Sequence, residues 1–108
     1  MPRNQRCVLP GESYHITQRG TNRQRVFFTD ADRRAYLRLL AQNLAEAGAR
    51  VLAWCLMSNH VHLVAVAEHN DSFTVLLRRV HGRYALTGRA RPFRRTAYLL
   101  NPVHVLPK

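Results

Sequence analysis

Acidic residues are scarce in this sequence. Six Asp and Glu stand against seventeen Lys and Arg in 108 residues, so the formal charge at neutral pH is +11. Small domains stay soluble with a net charge of about 2 to 8, and a larger excess of one sign indicates a polyanionic partner. The basic residues are spread along the chain instead of lying on one amphipathic helix, which favours nucleic acid over a membrane surface. We therefore predict a nucleic-acid-binding protein with no membrane partner.

Long apolar runs are also missing. The longest, Val51–Met57 and Val61–Ala67, are too short to span a bilayer, and the opening segment MPRNQRCVLP has no apolar core of a secretory signal. The two cysteines, Cys7 and Cys55, lie far apart without a CxxC pair, which argues against a zinc site or a disulfide framework. We expect a cytoplasmic protein with reduced thiols and a buried Cys55.

The first half of the chain shows one strand followed by one helix. Tyr14–Arg19 alternates as a β-strand does and ends at Gly20. Apolar residues then recur at helical spacing after Thr29 or Asp30, either of which can act as N-cap, and the pattern closes at Gly48. At this length the chain can bury one core but cannot hold a second catalytic module.

The second half shows a hairpin, a helix and a short final element. The two apolar runs are predicted as central strands joined by the polar turn Ser58-Asn59-His60. Ser72 is the predicted N-cap of a second helix that stops at Gly88, and Thr96–Asn101 is predicted as one helical turn. The order strand, helix, two strands, helix predicts an α+β protein, a split βαβ sandwich with one sheet face left open.

Two histidines follow the hairpin turn. His60 and His62 are two residues apart on a strand, so their imidazoles are expected side by side, about 6 to 7 Å apart, while Val61 enters the core. Imidazole is a common metal ligand, although Mg²⁺ also needs oxygen ligands, which a phosphodiester can supply. For an isolated HxH pair, a turn residue followed by a half-exposed strand residue is the simpler explanation. The surrounding sequence decides between a metal-binding pair and this structural explanation.

Several segments, in a linked order, carry a family resemblance. They are LMSNHVHLV at 56–64, PGESYHITQRGTNRQRVFF at 10–28, DR at 32–33, YL at 36–37, VHGRY at 80–84 and LNPV at 100–103. Together they cover most of the chain and resemble the single-tyrosine HUH transposases, in particular the REP-associated tyrosine transposase branch. The linked order is more specific than any single segment.

The resemblance implies a fold, a partner and a chemistry. The fold is a ferredoxin-like sandwich whose antiparallel sheet carries two helices on one face and binds single-stranded or hairpin DNA. Mg²⁺ or Mn²⁺ is held by His60 and His62, with Asn101 completing the metal site. A helix-borne tyrosine attacks the scissile phosphate and leaves a 5′-phosphotyrosine and a free 3′-hydroxyl. The predicted DNA contacts, in the loop after the first strand and on the second helix, are Arg19, Asn22, Arg23, Arg25, Arg79 and Arg83.

The nucleophile departs from the family pattern. In the family the tyrosine lies four residues before the polar metal ligand, but here that position, before Asn101, is Ala97. The nearest tyrosine is Tyr98, which would still share a helix face with Asn101. Tyr98 is therefore the first candidate for the nucleophile. Tyr84 is the alternative, although it falls on the apolar face of its helix, where a core role is the simpler explanation.

Other features have structural explanations. His15 lies on the first strand and can face the site, but a histidine in that position is more often structural. Trp54 is predicted in the core instead of acting as a platform for bases. A basic segment at 88–95 replaces the longer connector of the family. We therefore predict one HUH transposase-like domain over residues 1–108 with a truncated C-terminal part.

Three functions remain open at this point. The first is a transposase that nicks and rejoins single-stranded DNA, and the second is a catalytically impaired DNA-binding relic of the same family. The third is an RNA-binding α+β module, which shares the architecture but here lacks the paired exposed aromatics that stack bases. The sequence leaves open the DNA target, the metal in use and whether the chain is a monomer or a homodimer.

Overall fold

The computed structural model describes residues 8–20, 23–87 and, by backbone alone, 99–102. These residues form four strands and two helices. In order they are β1 (Ser13–Arg19), α1 (Asp30–Ala47), β2 (Ala49–Leu56), β3 (His60–Ala67), α2 (Ser72–Leu86) and β4 (Leu99–Pro102). The strands form an antiparallel sheet in the order β2-β3-β1-β4. The α+β, ferredoxin-like sandwich expected from the sequence is confirmed.

The two central strands divide the sheet into two faces. Tyr14 and Ile16 of β1 and Val61 and Leu63 of β3 are buried, at most 6% exposed, under both helices. Because successive strand residues point to opposite faces, the residues between them lie on the side away from the helices. That side carries His15, Thr17, His62 and Val64, and we call it the histidine face.

Both ends of α1 lie where the sequence predicts them. The Thr29 hydroxyl accepts a hydrogen bond from the backbone N–H of Asp32 at 3.1 Å, and the Asp32 carboxylate accepts one from the N–H of Thr29 at 3.0 Å. This reciprocal capping box satisfies two N–H groups that have no partner inside the helix. At the other end Gly48 adopts a left-handed conformation, φ 74°, and its N–H reaches the carbonyls of Leu44 and Ala45.

β2 is an edge strand, and the prediction of a central strand was wrong. Within the described sheet it pairs with β3 alone, and its register shifts between Val51 and Ala53. Cys55 is exposed, so its predicted burial was wrong as well. Trp54 is 56% exposed and Leu52 is 54% exposed, which corrects the placement of Trp54 in the core. An apolar run shows that a strand can be buried, but its exposure depends on which strand becomes its neighbour.

The predicted helical turn at Thr96–Asn101 was wrong for the residues that the structure describes. Residues 99–102 form β4, in which Leu99 pairs with Thr17 and Asn101 pairs with His15. The outer edge of β1 offers hydrogen-bonding groups that extended backbone can satisfy, and local sequence signals do not register this non-local pairing. Residues 88–98, which include the predicted helix stop Gly88, lie outside the described residues.

The start of α2 differs from the prediction by one residue. Asp71 is the N-cap, without a side-chain capping bond, and Ser72 is the first helical residue. The Ser72 hydroxyl instead accepts a hydrogen bond from the N–H of His69 at 3.0 Å. The predicted apolar face of the helix is confirmed by the burial of Phe73, Leu76, Leu77, Val80 and Tyr84. None of the helices in the described residues is long and apolar enough to span a membrane.

A part-buried hydrogen bond between side chains joins the two helices. The Tyr36 hydroxyl lies 2.7 Å from Nε2 of His81. Burial lowers the pKa of His81 from 6.5 to about 3, and burial also raises the pKa of Tyr36. His81 is therefore neutral in the folded protein at any pH above about 3, while a histidine in the unfolded chain takes up a proton below its ordinary pKa.

Acid is expected to destabilise the fold through His81. Between pH 6.5 and about 3 the unfolded chain binds a proton that folded His81 excludes. As the pH falls through that window, this group should lower the free energy of unfolding by about 1.4 kcal/mol per pH unit. Above pH 6.5 the protein should keep the whole stabilising contribution of neutral His81. Urea unfolding at several pH values should show a weaker acid dependence in His81→Gln, which keeps an acceptor for the Tyr36 hydroxyl. His69→Gln, at an exposed position, should retain the wild-type dependence, and an unchanged dependence in His81→Gln would contradict the assignment.

Candidate metal and DNA site

Three histidines meet on the histidine face. Nε2 of His15 and Nδ1 of His62 are 2.9 Å apart, and the planes of these two rings differ by 24°. The rings of His60 and His62 lie edge to face with their centroids 4.7 Å apart. The expected side-by-side placement of His60 and His62 is thus observed. We call His15, His60 and His62 the histidine cluster.

His15 is the member that the sequence reasoning undervalued. Its alternation with the buried residues Tyr14 and Ile16 already placed it on the face opposite the core. The missing information was the register of β1 on β3, in which Thr17 lies opposite His62 and His15 lies opposite Val64. This register brings His15 diagonally next to His62.

A hydrogen bond fixes the proton on His60. Its Nδ1 lies 2.7 Å from Oδ1 of Asn59, and because that carbonyl oxygen can only accept, Nδ1 carries the hydrogen. The amide nitrogen of Asn59 donates to the carbonyl of Arg23 at 3.5 Å, which fixes the orientation of the amide. Neutral His60 therefore has its lone pair on Nε2, the atom free to bind a metal.

His62 has two partners at Nδ1. Besides His15, the hydroxyl of Thr17 lies 3.4 Å from this atom. When Nδ1 of His62 donates its hydrogen to Nε2 of His15, the lone pair of His62 lies on its own Nε2. In that tautomer His60 and His62 both offer Nε2 as a ligand.

The surroundings of both histidines of the HxH pair favour the uncharged imidazole. Burial lowers the pKa of His60, with a further contribution from the positive charge of Arg19. Burial is also the main cause of the lowered pKa of His62, followed by His60, His15 and Arg19. A neutral imidazole is the form that binds metal.

The donor set fits a divalent ion that takes further ligands from elsewhere. In the described ranges, no three His, Cys, Asp or Glu side chains are arranged to hold a metal ion by themselves. Two neutral imidazoles leave room for phosphate oxygens and water around the ion. Imidazole nitrogen is a weaker ligand for the hard Mg²⁺ than for a first-row transition ion, so these residues suit Mn²⁺ better.

The basic loop after β1 is held against the hairpin turn. The carbonyl of Ser58 accepts a hydrogen bond from the N–H of Val26 at 2.7 Å, and the carbonyl of Asn59 accepts one from the N–H of Gly20 at 2.9 Å. Gly20 has to be small, since an added Cβ would lie 2.3 Å from the carbonyl oxygen of Gln24. These contacts place the loop beside His60.

Three of the predicted DNA contacts lie at this end of the sheet. Arg19 is exposed and pairs in register with His60, and Arg23 and Arg25 are exposed on the loop. The guanidinium of Arg25 lies over the ring of Phe28, 4.9 Å from its centroid. Asn22 lies outside the described residues. The structure therefore brings Arg19, Arg23 and Arg25 close to the histidine cluster.

Arg79 and Arg83 lie elsewhere. Both belong to α2, on the opposite side of the sheet from the histidine face, and both bind α1. Arg79 forms an ion pair with Glu46, and Arg83 donates to Oδ1 of Asn43 at 2.8 Å. Any DNA contact by these two arginines would be separate from the histidine cluster.

Of the two candidate nucleophiles, the structure describes Tyr84 and does not describe Tyr98. Tyr84 is 1% exposed in the core, and its hydroxyl donates to the carbonyl of Val26 at 2.8 Å. This agrees with the predicted core role, and we do not carry Tyr84 forward as a nucleophile. Tyr98 lies outside the described residues. The backbone of Asn101 lies opposite His15 in β4, so the predicted helix face shared with Tyr98 does not exist at Asn101.

Comparisons with known proteins identify the family. The sequence profile of the family described as "Transposase IS200 like" matches residues 10–99, so the chain belongs to the IS200-like transposases. No curated protein matches it. The fold is similar to that of a REP-associated tyrosine transposase solved with a REP hairpin, with a TM-score of 0.77 and 15% sequence identity over 98% of this chain. The chain spans 64% of the length of that protein.

A second solved structure has the same fold. It is a protein from Deinococcus radiodurans R1 provisionally described as a transposase, with a TM-score of 0.71 and 17% identity. The alignment covers 96% of this chain and 85% of that one. At these identities the structural matches establish the fold, and the family rests on the sequence profile.

The charge of Arg19 gives a testable effect on the histidine cluster. Arg19→Gln should raise the pKa of both His60 and His62, because the positive charge that opposes their protonation is removed. The midpoints can be followed by NMR of the imidazole carbon-bound protons as the pH is varied. Arg34→Gln removes an exposed charge on α1 and should leave both midpoints in place. Unchanged midpoints in Arg19→Gln would show that its charge does not act on the pair.

Proposed function

We propose that this chain is a metal-dependent tyrosine transposase that nicks and rejoins single-stranded or hairpin DNA on its histidine face. The observation that carries the proposal is the pair His60 and His62, side by side next to a basic loop, with the pKa of each lowered toward the neutral form. Membership of a transposase family supports DNA as the substrate over RNA. The similar protein solved with a REP hairpin supports hairpin DNA, and the charge of +11 supports a polyanionic partner.

The proposed metal ligands are Nε2 of His60 and Nε2 of His62. A divalent ion bound there, Mn²⁺ or Mg²⁺, would withdraw negative charge from a phosphate and orient it for attack. Asn59 holds the first imidazole in the required tautomer through Nδ1, and His15 does the same for the second when it accepts from Nδ1 of His62. Asn101 remains a candidate third ligand because its backbone lies opposite His15.

The chain also supplies cationic groups for the substrate backbone. Arg19, opposite His60 in the sheet, adds a fixed positive charge beside the proposed phosphate position. Arg23 and Arg25 extend that charge along the loop, and the uncharged Asn22, which precedes them in sequence, stays a proposed polar contact to DNA. These side chains would hold the phosphates on either side of the cleaved bond.

We assign the nucleophile to Tyr98. Its phenol oxygen forms a bond to phosphorus as the bond from phosphorus to the 3′ oxygen breaks. The phenol proton passes to solvent, and the 3′ oxygen takes up a proton to become a hydroxyl, while the 5′ end stays on the tyrosine. A phenol with an ordinary pKa near 10 needs a cation at the phosphate to react at neutral pH. The covalent link conserves the phosphodiester for rejoining.

A second candidate function is DNA binding without turnover. One observation favours it, namely the spacing of three instead of four residues between Tyr98 and Asn101. In this case the histidine cluster and basic loop would still bind DNA, and no covalent adduct would form.

Metal binding is expected to depend on the HxH pair. Titration of Mn²⁺ in the presence of inorganic phosphate, followed by electron paramagnetic resonance, should show a loss of roughly tenfold or more in affinity in His60→Ala and in His62→Ala. His69→Ala removes an exposed histidine outside the cluster and should bind as wild type does. Circular dichroism of each variant establishes that the fold is intact. Equal Mn²⁺ affinity in wild type and the His60→Ala, His62→Ala double variant would remove the basis of the proposed site.

Covalent capture tests the nucleophile. Wild type incubated with Mn²⁺ and a hairpin-bearing single-stranded oligonucleotide should give a protein–DNA adduct on a denaturing gel. Tyr98→Phe should abolish the adduct and leave DNA affinity nearly unchanged, because only one hydroxyl is removed. Tyr84→Phe is the matched control and should retain the adduct. Strong DNA binding by wild type without any adduct would select the second candidate function.

A further inference from the structure

Arg33 connects the start of α1 to the hairpin that carries the HxH pair. Its Nε donates a hydrogen bond to the carbonyl oxygen of Leu56 at 3.0 Å, and its guanidinium carbon lies 5.6 Å from the centre of the Phe27 ring. Its Nη1 also forms an ion pair with Asp30 at 3.5 Å. The Arg33 side chain is 29% exposed, so this cation is held against the protein instead of extending into water.

We propose that Arg33 is a positioning residue for the HxH pair and for the basic loop. It fixes the hairpin turn against α1, at the end of the sheet where His60 and His62 lie. The inference rests on the proposed function, because it gives Arg33 a role in the metal and DNA site without direct contact with either ligand.

The carbonyl group that Arg33 binds lies at the outer edge of β2. The N–H of Met57 donates to the carbonyl of His60 at 2.9 Å, and in an antiparallel ladder such bonded pairs alternate with pairs that are not bonded to each other. The next pair, Leu56 and Val61, is therefore of the second kind, and the backbone groups of Leu56 point away from β3. Arg33 supplies the hydrogen bond that a further strand would otherwise supply.

The contact acts on the residue opposite the centre of the HxH pair. Val61, the partner of Leu56, lies between His60 and His62 in sequence and is buried in the core. The Cα atoms of two residues in such a non-bonded pair are only about 4.5 Å apart. A displacement of β2 at Leu56 would therefore be transmitted to the strand from which both imidazoles project.

A second contact of Arg33 reaches the hairpin turn through the basic loop. Phe27, whose ring lies beside the guanidinium, is buried, and its N–H donates to the carbonyl of Ser58 at 3.1 Å. Phe27 follows Arg23 and Arg25 in the same loop. One side chain on α1 thus contacts both the end of β2 and a loop residue that is bound to the turn, so it holds the strand and the loop in one arrangement.

Two variants that differ in one hydrogen-bond donor test the role of Arg33. Arg33→Met removes the charge and the donor, whereas Arg33→Gln removes the charge but places an amide nitrogen at the position of the arginine Nε. Titration of Mn²⁺ in the presence of inorganic phosphate, followed by electron paramagnetic resonance, should show an affinity about tenfold weaker in Arg33→Met, the lower end of the range for groups that orient metal ligands indirectly. Arg33→Gln should retain most of the wild-type affinity.

Controls separate the hydrogen bond from charge and from folding. Arg34→Met, the same substitution at the next and exposed position of α1, should bind Mn²⁺ as wild type does. Circular dichroism of each variant establishes that the fold is intact, and Arg33→Leu serves as a second variant without a donor if Arg33→Met does not fold. Equal Mn²⁺ affinity in Arg33→Gln and in the folded variant without a donor would overturn the proposal.

Amide hydrogen exchange without metal locates the effect in the protein. In the variant without a donor, the amides of Phe27 and Met57 should exchange faster than in wild type, because both donate to carbonyls of the hairpin turn region. The amides of Leu76 and Val80, in the buried face of α2, should keep their wild-type protection. Equal acceleration at all four amides would assign Arg33 a role in global stability alone and overturn the proposal.

The result is separable from the proposed function. Exchange at Phe27 and Met57 requires neither metal nor DNA, so it remains measurable if wild type does not bind Mn²⁺. Failure of wild type to bind Mn²⁺ would contradict the proposed metal site. Wild-type exchange at both amides in the variant without a donor would instead overturn the role of Arg33 and leave Mn²⁺ binding to His60 and His62 intact.

Discussion

The pairing of β1 with β3 is the constraint on which the site depends. The register fixes both faces of the sheet, since a shift of one strand by a single residue would turn its apolar residues out of the core and its histidine into it. The apolar residues therefore determine where the histidines lie. The hydrophobic effect that buries one face of these strands presents the imidazoles on the other.

A second set of contacts joins the loop after β1 to the hairpin turn. The Ser58 and Asn59 carbonyls bind the loop backbone, and the Asn59 side chain links Arg23 to the His60 ring. A basic segment distant in sequence is thereby brought beside the metal ligands. The same asparagine contributes to the position of the loop and to the tautomer of the imidazole. The placement of the basic loop and the metal-binding form of His60 therefore both depend on Asn59.

Much of the fold could be predicted from local signals. The N-cap at Thr29 or Asp30, the helix end at Gly48 and the alternation in β1 and β3 each depend on neighbouring residues, and the structure agrees with each of these predictions. The errors in the sheet have one physical origin, because strand neighbours are set by distant parts of the chain. The exposure of Trp54, the strand at Asn101 and the contact between His15 and His62 all follow from sheet order and register. The HxH pair was found because its two members are themselves close in sequence.

The histidine cluster joins residues that are 47 positions apart, with all of α1 and β2 between them. Such non-local strand pairing costs chain entropy before it gains contacts, and it is slow compared with helix formation. A nascent chain that has emerged only as far as β2 can form its first helix but contains no His62 to meet His15. Assembly of the cluster thus coincides with closure of the central sheet and does not precede it.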